Sequence, residues 1–268
     1  MIKKFFSRGY VFLVLAFIYI PIFILVVYSF NEGKTMGLWT GFSFKWYSKL
    51  GEIGDVVKNT VVLAVVVSII STVLGTLGAI GMFYHNGKLG KVIKGASQVP
   101  VVNSEVVTAC ALVMLFMILG VLHRSIFGLY VGHVIITVPF VVLSVLPKLK
   151  QMDGSLYEAA LDLGATPTQA LFKVILPEIL PGVFAGFMLA ITLSLDDYIV
   201  TATLAPLDFD TISTAVYKSI ALTTEKSSEQ VPMYRALTTI IFLVTLLVVV
   251  FINLKSNKKA KLNKGGKA

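Results

Sequence analysis

Charged residues and cysteine are both scarce in this sequence of 268 residues. Only 14% of the residues are charged and 56% are hydrophobic, more apolar side chain than a soluble domain of this length can bury. The composition therefore excludes a soluble globular protein and indicates an integral membrane protein. The single cysteine, Cys110, excludes an intrachain disulfide, and its place in an apolar run suggests a packing residue.

The sequence also lacks the usual signatures of catalysis. It has no G-x-x-x-x-G-K-[ST] phosphate loop, no paired metal-ligand spacing and no nucleophile motif. The chain is therefore not predicted to be an enzyme, and no cofactor or metal is expected in it.

Six apolar segments are long enough to cross a hydrocarbon core of roughly 30 Å, which takes about 20 helical residues. We predict an all-α polytopic membrane protein with a single transmembrane domain over residues 1–268. The first segment is interpreted as a retained span, because it is too long for a signal peptide and lacks a cleavage site. The predicted spans are residues 10–30, 59–83, 99–119, 127–147, 181–205 and 236–254.

The positive charges are unevenly distributed between the two sides of these spans. Fifteen of the 23 Lys and Arg residues fall on the side of the N-terminus, so the positive-inside rule places both termini in the cytoplasm. A basic tail at residues 255–268 follows the last span directly. That position favours anionic lipid headgroups, rather than nucleic acid, as its partner.

A polar elbow at residues 155–178 separates the fourth and fifth spans. Ser155 and Thr166 each precede a Glu or Gln by three residues, the pattern of a capping box. Gly164 suits the left-handed end of a first helix, and Pro167 suits the start of a second. We predict two short helices joined by a sharp turn, forming a cytoplasmic knob that a partner receives.

Two features of the spans predict helix packing. Ser71, Gly75 and Ala79 form a small-x-x-x-small face in the second span, where another helix can approach closely. His133, in the fourth span, is interpreted as a hydrogen-bond partner between helices rather than as a ligand of a metal or solute.

Three carboxylates lie inside the predicted spans, where an unpaired charge costs several kcal/mol. Glu105 either faces water, protein or a cation, or it snorkels to the headgroups or is protonated. Asp196 and Asp197 lie about 21 Å along the fifth helix, and adjacent residues face different ways unless the helix ends there. Together they would hold a cation and disfavour an anion. The alternative is that an aspartate caps a shortened span.

The first external loop, about residues 31–58, is rich in aromatic residues. Trp39, Trp46 and Tyr47 would lie at or above the outer membrane interface. From composition alone we interpret them as an aromatic belt.

The elbow carries a recognisable motif, E-A-A-x-x-x-G-x(9)-I-x-L-P, with Val174 in place of the isoleucine. On this motif the chain resembles the permeases of bacterial ABC importers. In that family the elbow is the coupling helix, which docks in a groove of a cytoplasmic ATPase subunit. The matching residues are Glu158, Ala159, Ala160, Gly164, Leu176 and Pro177.

Within that superfamily the chain resembles the C-type permease subunits of spermidine/putrescine importers along nearly its whole length. The family usually has Asp where Glu105 stands, preceded by proline rather than Ser104, so the charge is kept while the local backbone differs. The residues that carry this resemblance are Tyr19-Ile20-Pro21, Ser29-Phe30-Asn31, Phe44-Lys45-Trp46-Tyr47, Pro100 with Glu105, and Ser194-Leu195-Asp196-Asp197.

The resemblance implies a complex in the bacterial inner membrane. Its other members would be a second, similar permease, two ATPase subunits that bind ATP and Mg, and an external polyamine-binding protein. Polyamine amines are attracted by carboxylates and by aromatic faces. The implied substrate path consists of Trp46, Tyr47, Glu105, Asp196, Asp197 and Tyr19.

Other functions remain open at this point. One is an ABC-importer permease for another solute, such as an amino acid or another small cation. A standalone secondary transporter or channel would transport without partners, and the lack of an inverted repeat counts against it. A membrane scaffold without transport would leave the intramembrane acids unexplained.

Overall fold

A computed structural model of the chain describes residues 2–34, 37–84, 95, 102–120, 124–221, 230–247 and 250. Their regular structure is helical, which confirms the predicted all-α class.

The described residues divide into two compact units, one within residues 1–55 and 216–268 and the other within residues 56–215. The helices are α1 (Ile2–Ser29), α2 (Lys45–Ser48), α3 (Gly54–Tyr84), α4 (Glu105–Ile118), α5 (Ile126–Gln151), α6 (Ser155–Asp162), α7 (Pro167–Ala170), α8 (Leu176–Asp196), α9 (Ile199–Leu204), α10 (Ile212–Ala221) and α11 (Gln230–Leu247).

Five helical segments of the described residues are long and apolar enough to cross a membrane. They are Gly9–Ser29, Leu50–Tyr84, Ile126–Gln151, Pro167–Asp196 and Gln230–Leu247.

The bounds of several helices differ from those of the predicted spans. The third corresponds to α4, an apolar helix of 14 residues, and residues 99–101 lie outside the described part of the chain. The fifth was predicted at 181–205, but its helix starts at Pro167 and ends at Asp196. The sixth corresponds to α11, and most of its predicted end, beyond residue 247, is not described, nor is the basic tail.

The core of the unit formed by residues 56–215 lies where α3 and α8 pack on α5. Its buried side chains are almost all aliphatic, as expected for helices that hold together by close contact rather than by exclusion of water. They are Ala79, Val141, Val142, Val145, Leu149, Met152, Ile175, Ile179 and Ala190.

The predicted small face of α3 is confirmed as a site of close helix contact. Ser71, Gly75 and Ala79 are all buried. Ser71 Oγ and Thr137 Oγ1 of α5 are hydrogen-bonded at 2.6 Å. A Cβ added to Gly75 would lie only 2.6 Å from the Cβ of Val141 and 3.1 Å from the Val138 carbonyl oxygen. The backbones of α3 and α5 therefore approach at a distance that only glycine permits here.

The other unit contains α1, α2 and α11, and an asparagine organises the loop after α1. Asn31 Oδ1 accepts a hydrogen bond from the Thr40 amide at 2.9 Å, and its Nδ2 donates to the Leu38 carbonyl at 2.7 Å. From α11, the Arg235 guanidinium donates through Nη2 to the Lys34 carbonyl at 3.1 Å. These side-chain bonds add to the short antiparallel bridge between Asn31 and Phe42, where the Glu32 N–H donates to the Gly41 carbonyl and the Ser43 N–H donates to the Phe30 carbonyl.

We expect Gly75→Ala to destabilise the protein, whereas Gly78→Ala, one turn further along α3, should not. The added methyl at position 75 overlaps Val141, and overpacking of this kind costs about 1–3 kcal/mol. At position 78 the nearest atom is Val142 Cγ2 at 3.9 Å, an ordinary contact.

The measurement is the thermal unfolding midpoint of the two purified variants in the same detergent. Equal midpoints for both variants would contradict the close approach at Gly75.

Candidate functional site

The start of the elbow is held by an aspartate that precedes it. Ser155 is the first residue of α6 rather than its N-cap, so the predicted capping box of Ser155 with Glu158 is wrong. The backbone N–H and Oγ of Ser155 donate to Asp153 Oδ1 at 3.0 and 2.8 Å. An aspartate readily accepts from the backbone two residues on, and here it takes the place of the cap.

These two bonds lower the pKa of the Asp153 carboxyl below its ordinary value, with the bond from the Ser155 N–H as the larger cause and that from its hydroxyl second. A lowered pKa means that the carboxylate stabilises the folded elbow at pH values above its ordinary pKa. That contribution is lost as the pH falls through the lowered value.

The end of α6 forms the predicted left-handed turn. Gly164 has a φ of +85°, which confirms its predicted role. The Gly164 N–H donates to the Leu161 carbonyl at 2.9 Å, and the Ala165 N–H donates to the Ala160 carbonyl at 3.0 Å. This pair of bonds is a Schellman motif, which ends the helix and reverses the chain.

The second helix of the elbow begins as predicted but does not end as predicted. Thr166 and Gln169 form a complete capping box, with Pro167 at the start of α7. The prediction of a separate short helix is wrong, because the chain continues through a π-helical turn, Leu171–Ile175, into α8. The wider turn precedes Pro177, whose ring would meet the carbonyl four residues earlier in a regular helix.

The elbow has a buried inner face and an exposed outer face. Ala160, Ala170 and Ile175 are buried, and the ring of Tyr157 contacts that of Tyr84 at the end of α3, with centroids 5.2 Å apart. Leu163, by contrast, is 89% exposed. Of the predicted coupling residues, Ala160 is buried and Leu176 half-buried, whereas Glu158, Ala159, Gly164 and Pro177 are exposed.

The two adjacent acids lie at a break in the fifth predicted span, and they have different surroundings. Asp196 is the last residue of α8 and is exposed. Asp197 is only 5% exposed. Its Oδ1 accepts from the Val200 N–H at 3.2 Å, and its Oδ2 accepts from the N–H and Oγ1 of Thr201, both at 2.8 Å. The capping alternative therefore describes Asp197, which caps the start of α9.

His133 joins this cluster from α5. Its Nδ1 lies 3.1 Å from Ser194 Oγ of α8, and its Nε2 lies 2.9 Å from Thr201 Oγ1 and 3.4 Å from Asp197 Oδ2. Its side chain is fully buried. The interpretation of His133 as a hydrogen-bond partner between helices is thus confirmed.

Glu105 is placed at the start of α4 and is exposed. The N-cap is Ser104, whose Oγ accepts from the Val107 N–H at 3.4 Å. Glu105 therefore lies in the first turn of α4, next to the N–H groups at the helix start.

The predicted aromatic site residues all belong to the unit that contains α1, α2 and α11. Trp46 is 1% exposed, and its Nε1 donates to the Asn31 carbonyl at 3.0 Å. Its buried ring cannot lie in a lipid-facing belt, unlike Trp39, which is half exposed. The Tyr47 hydroxyl is 2.6 Å from Ser29 Oγ, and Tyr19 is exposed on α1.

The structure thus brings some of the predicted site residues together. Trp46 and Tyr47 share α2, and Asp196 and Asp197 share the break after α8. Sequence reasoning did not find Ser194 and Thr201 as partners of His133. The sequence indicates a contact only for Thr201, because it follows Asp197 by four residues, a spacing at which side chains of a helix are neighbours. The involvement of α5 depends on tertiary packing.

Comparison with known proteins identifies relatives along the whole chain. Residues 71–259 match the family model described as "binding-protein-dependent transport system inner membrane component". The chain is similar to the spermidine/putrescine transport system permease protein PotC of Escherichia coli strain K12, with 31% identity covering 99% of each protein. It is also similar to the putrescine transport system permease protein PotI of the same strain, with 30% identity over 77% of this chain and 76% of that one.

The fold also matches a solved structure. That structure is a bacterial ABC transporter involved in the import of the acidic polysaccharide alginate, and the match covers 96% of this chain and 95% of that one, with a TM-score of 0.68. The sequence identity is 18%, so this similarity concerns the fold.

We expect Gly164→Ala to loosen the elbow, whereas Gly154→Ala should not. No atom lies within 4 Å of an added Cβ at either position, so the two variants differ only in backbone conformation. Position 164 has a φ of +85°, which costs an alanine about 1–2 kcal/mol. Position 154 has a φ of −59°, which alanine adopts freely.

The measurement is hydrogen exchange of the purified protein over residues 155–170. Exchange should become about ten-fold faster at the Gly164 and Ala165 amides in the first variant only, since 1.4 kcal/mol corresponds to a factor of ten. Unchanged protection in Gly164→Ala would refute the argument.

Proposed function

The chain belongs to the binding-protein-dependent transport system inner membrane components, the permeases of bacterial ABC importers, and we propose that its solute is a polyamine. Membership of this family makes the chain a multi-pass inner-membrane subunit of an ABC transporter complex and not itself catalytic. The proposal concerns the solute, the residues that meet it and the partners. The observation that carries it is the pair of exposed acids, Glu105 and Asp196, in the apolar part of the chain.

The positions of these two acids suit a linear polycation. α9 runs antiparallel to α5. The carbonyl of Leu204, at the end of α9, accepts a hydrogen bond from the N–H of Ser125, just before α5, whereas Thr201, earlier in α9, is hydrogen-bonded to His133, further along α5. α4 packs against both α5 and α9. Because only residues 119–125 connect α4 to α5, we expect those two helices to be antiparallel. From the rise per residue of an α-helix, Asp196 then lies about 10 Å and Glu105 about 20 Å from the start of α5, which the predicted topology places on the outer side.

Carboxylates at such intervals offer successive weak sites to a chain that carries several amines. Each charge-assisted hydrogen bond holds one ammonium group, and several weak sites allow the solute to move on. We propose that Trp46, Tyr47 and Tyr19 shape the path at its aromatic part. The same acids disfavour anionic solutes.

We infer that the elbow couples this path to ATP hydrolysis in a partner. The exposed outer face, with Glu158, Ala159 and the apolar Leu163, would dock on an ATPase subunit, which binds ATP and Mg. Ala160 is buried on the inner side of that face, and Leu176 and Pro177 form the start of α8. A movement of the docked ATPase would therefore be transmitted to α8. Two ATPase subunits, a second permease and an external polyamine-binding protein would complete the importer.

The proposed topology has six spans in a single permease domain over residues 1–268, with α4 as the core of the third span. Both termini and the elbow would be cytoplasmic, as the distribution of Lys and Arg indicates. The basic tail would meet anionic lipid headgroups, and no nucleic acid is involved.

We expect ATP-dependent uptake of labelled spermidine and putrescine into proteoliposomes that contain this chain, its second permease, the ATPase and the binding protein. Uptake should require ATP on the ATPase side and should be reduced by other polyamines but not by anions. A complex that hydrolyses ATP and imports neither amine would overturn the polyamine proposal. Import of an amino acid or another small cation would replace it.

We expect Glu105→Gln to reduce polyamine uptake about ten-fold or more, since hydrogen bonds to charged groups contribute about 1.5–3 kcal/mol. Uptake is measured in the same proteoliposomes and is normalised to the amount of assembled complex. The matched control is Asp208→Asn, which neutralises an exposed acid in the loop after α9. Equal uptake by the Glu105 variant and the control would remove Glu105 from the path.

A further inference from the structure

The break between α8 and α9 depends on a group that belongs to neither helix. α8 ends at Asp196 and α9 begins at Ile199. Within the described residues, His133 of α5 is the side chain that contacts both sides of the break, at Ser194 before it and at Thr201 after it. All three side chains are buried.

The hydrogen-bond pattern favours one ring nitrogen of His133 as the donor. Thr201 has one hydroxyl hydrogen, and it points to Asp197 Oδ2 at 2.8 Å. It is therefore not available to His133 Nε2, 2.9 Å away, so that Nε2 carries a proton and donates to Thr201 Oγ1. The Ser194 hydroxyl can then donate to Nδ1 of the neutral ring. Every polar group of the cluster has a partner.

Asp197 is thereby occupied by protein groups. Its two oxygens accept from two backbone N–H groups and one hydroxyl, with the imidazole N–H of His133 at 3.4 Å. A carboxylate with this set of donors in a buried site has little capacity left for an ammonium group of a solute. Asp196 is exposed, and an exposed carboxylate in an apolar region has to face water, a partner or the solute.

Resting on the polyamine function proposed above, we propose that His133 is a positioning residue and that the two adjacent acids divide their roles. His133, through its Nε2–H, holds Thr201 and Asp197 inside the protein and thereby fixes the end of α8. The carboxylate of Asp196 is then presented to the solute. Asp197 and His133 do not contact the solute themselves.

Two substitutions at position 133 test the roles of the two ring nitrogens separately. The amide nitrogen of glutamine reaches about as far from the backbone as Nε2, whereas that of asparagine reaches only about as far as Nδ1. His133→Gln therefore preserves the donor to Thr201 and should keep uptake of labelled spermidine within about three-fold of the unsubstituted complex. His133→Asn removes that donor and should lower uptake at least ten-fold.

A double-substitution cycle tests whether His133 acts through Asp196. If it does, His133→Asn should cause less than a two-fold further loss when Asp196 is already Asn, because the carboxylate that it positions is gone. If it supports the fold in a general way, the two losses should multiply. Where Asp196→Asn leaves too little uptake to read, the unfolding midpoints described next decide the proposal.

Thermal unfolding of the purified complex separates the roles of the two acids. Asp196→Asn should reduce uptake and leave the unfolding midpoint unchanged, and Asp197→Asn should lower the midpoint as His133→Asn does. Asp208→Asn is the control for both measurements. The proposal is overturned by multiplying losses in the cycle, by normal uptake with His133→Asn, or by an Asp197→Asn complex that loses uptake at an unchanged midpoint.

Failure of the polyamine function is a separate result. If the unsubstituted complex imports another cation instead of spermidine, the polyamine proposal fails, and the cycle is then measured with that cation. The unfolding midpoints do not depend on the solute, so they test the role of His133 in either case.

Discussion

The hydrogen-bonding demand of the peptide backbone is the constraint on which the rest of this structure depends. In hydrocarbon an unpaired N–H or C=O costs several kcal/mol, so the chain is helical wherever it crosses, and the backbone groups left free where such a helix stops need other partners. At the break after α8, Asp197 accepts from the N–H groups of Val200 and Thr201. In the loop after α1, Asn31 binds Leu38 and Thr40. Polar residues thus appear where the backbone leaves the helix.

Close packing is the second requirement, because lipid provides no hydrophobic force that drives helices together. α3 and α8 both approach α5 at Val141, through Gly75 and Gly186, and a Cβ on Gly186 would lie 3.0 Å from Val141 Cγ1. The Ser71–Thr137 hydrogen bond links α3 and α5 one turn away. Such contacts make α5 the helix on which α3 and α8 are aligned, including the end of α8 at the candidate site.

The functional features lie where these requirements are locally relaxed. The elbow has an apolar inner face that packs against the core and an exposed outer face, which is the face proposed to dock on an ATPase subunit. The acids need a different environment from the lipid around them, and the break after α8 provides it. Asp197 is buried there and binds the backbone of α9, whereas Asp196 is exposed.

The sequence by itself determined the membrane class, the helical character of the long apolar segments, the turn at Gly164, the capping box at Thr166 and the small face of α3. These features depend on local composition and spacing, which the sequence displays directly. It did not determine that Asp153 holds Ser155, that α7 continues into α8, or that Trp46 is buried against Asn31. Above all, only the tertiary structure distinguished Asp197 from Asp196. The two are identical neighbours along the chain, and they differ because Asp197 accepts from the N–H groups of Val200 and Thr201 and lies beside His133, more than 60 residues away, whereas Asp196 is exposed.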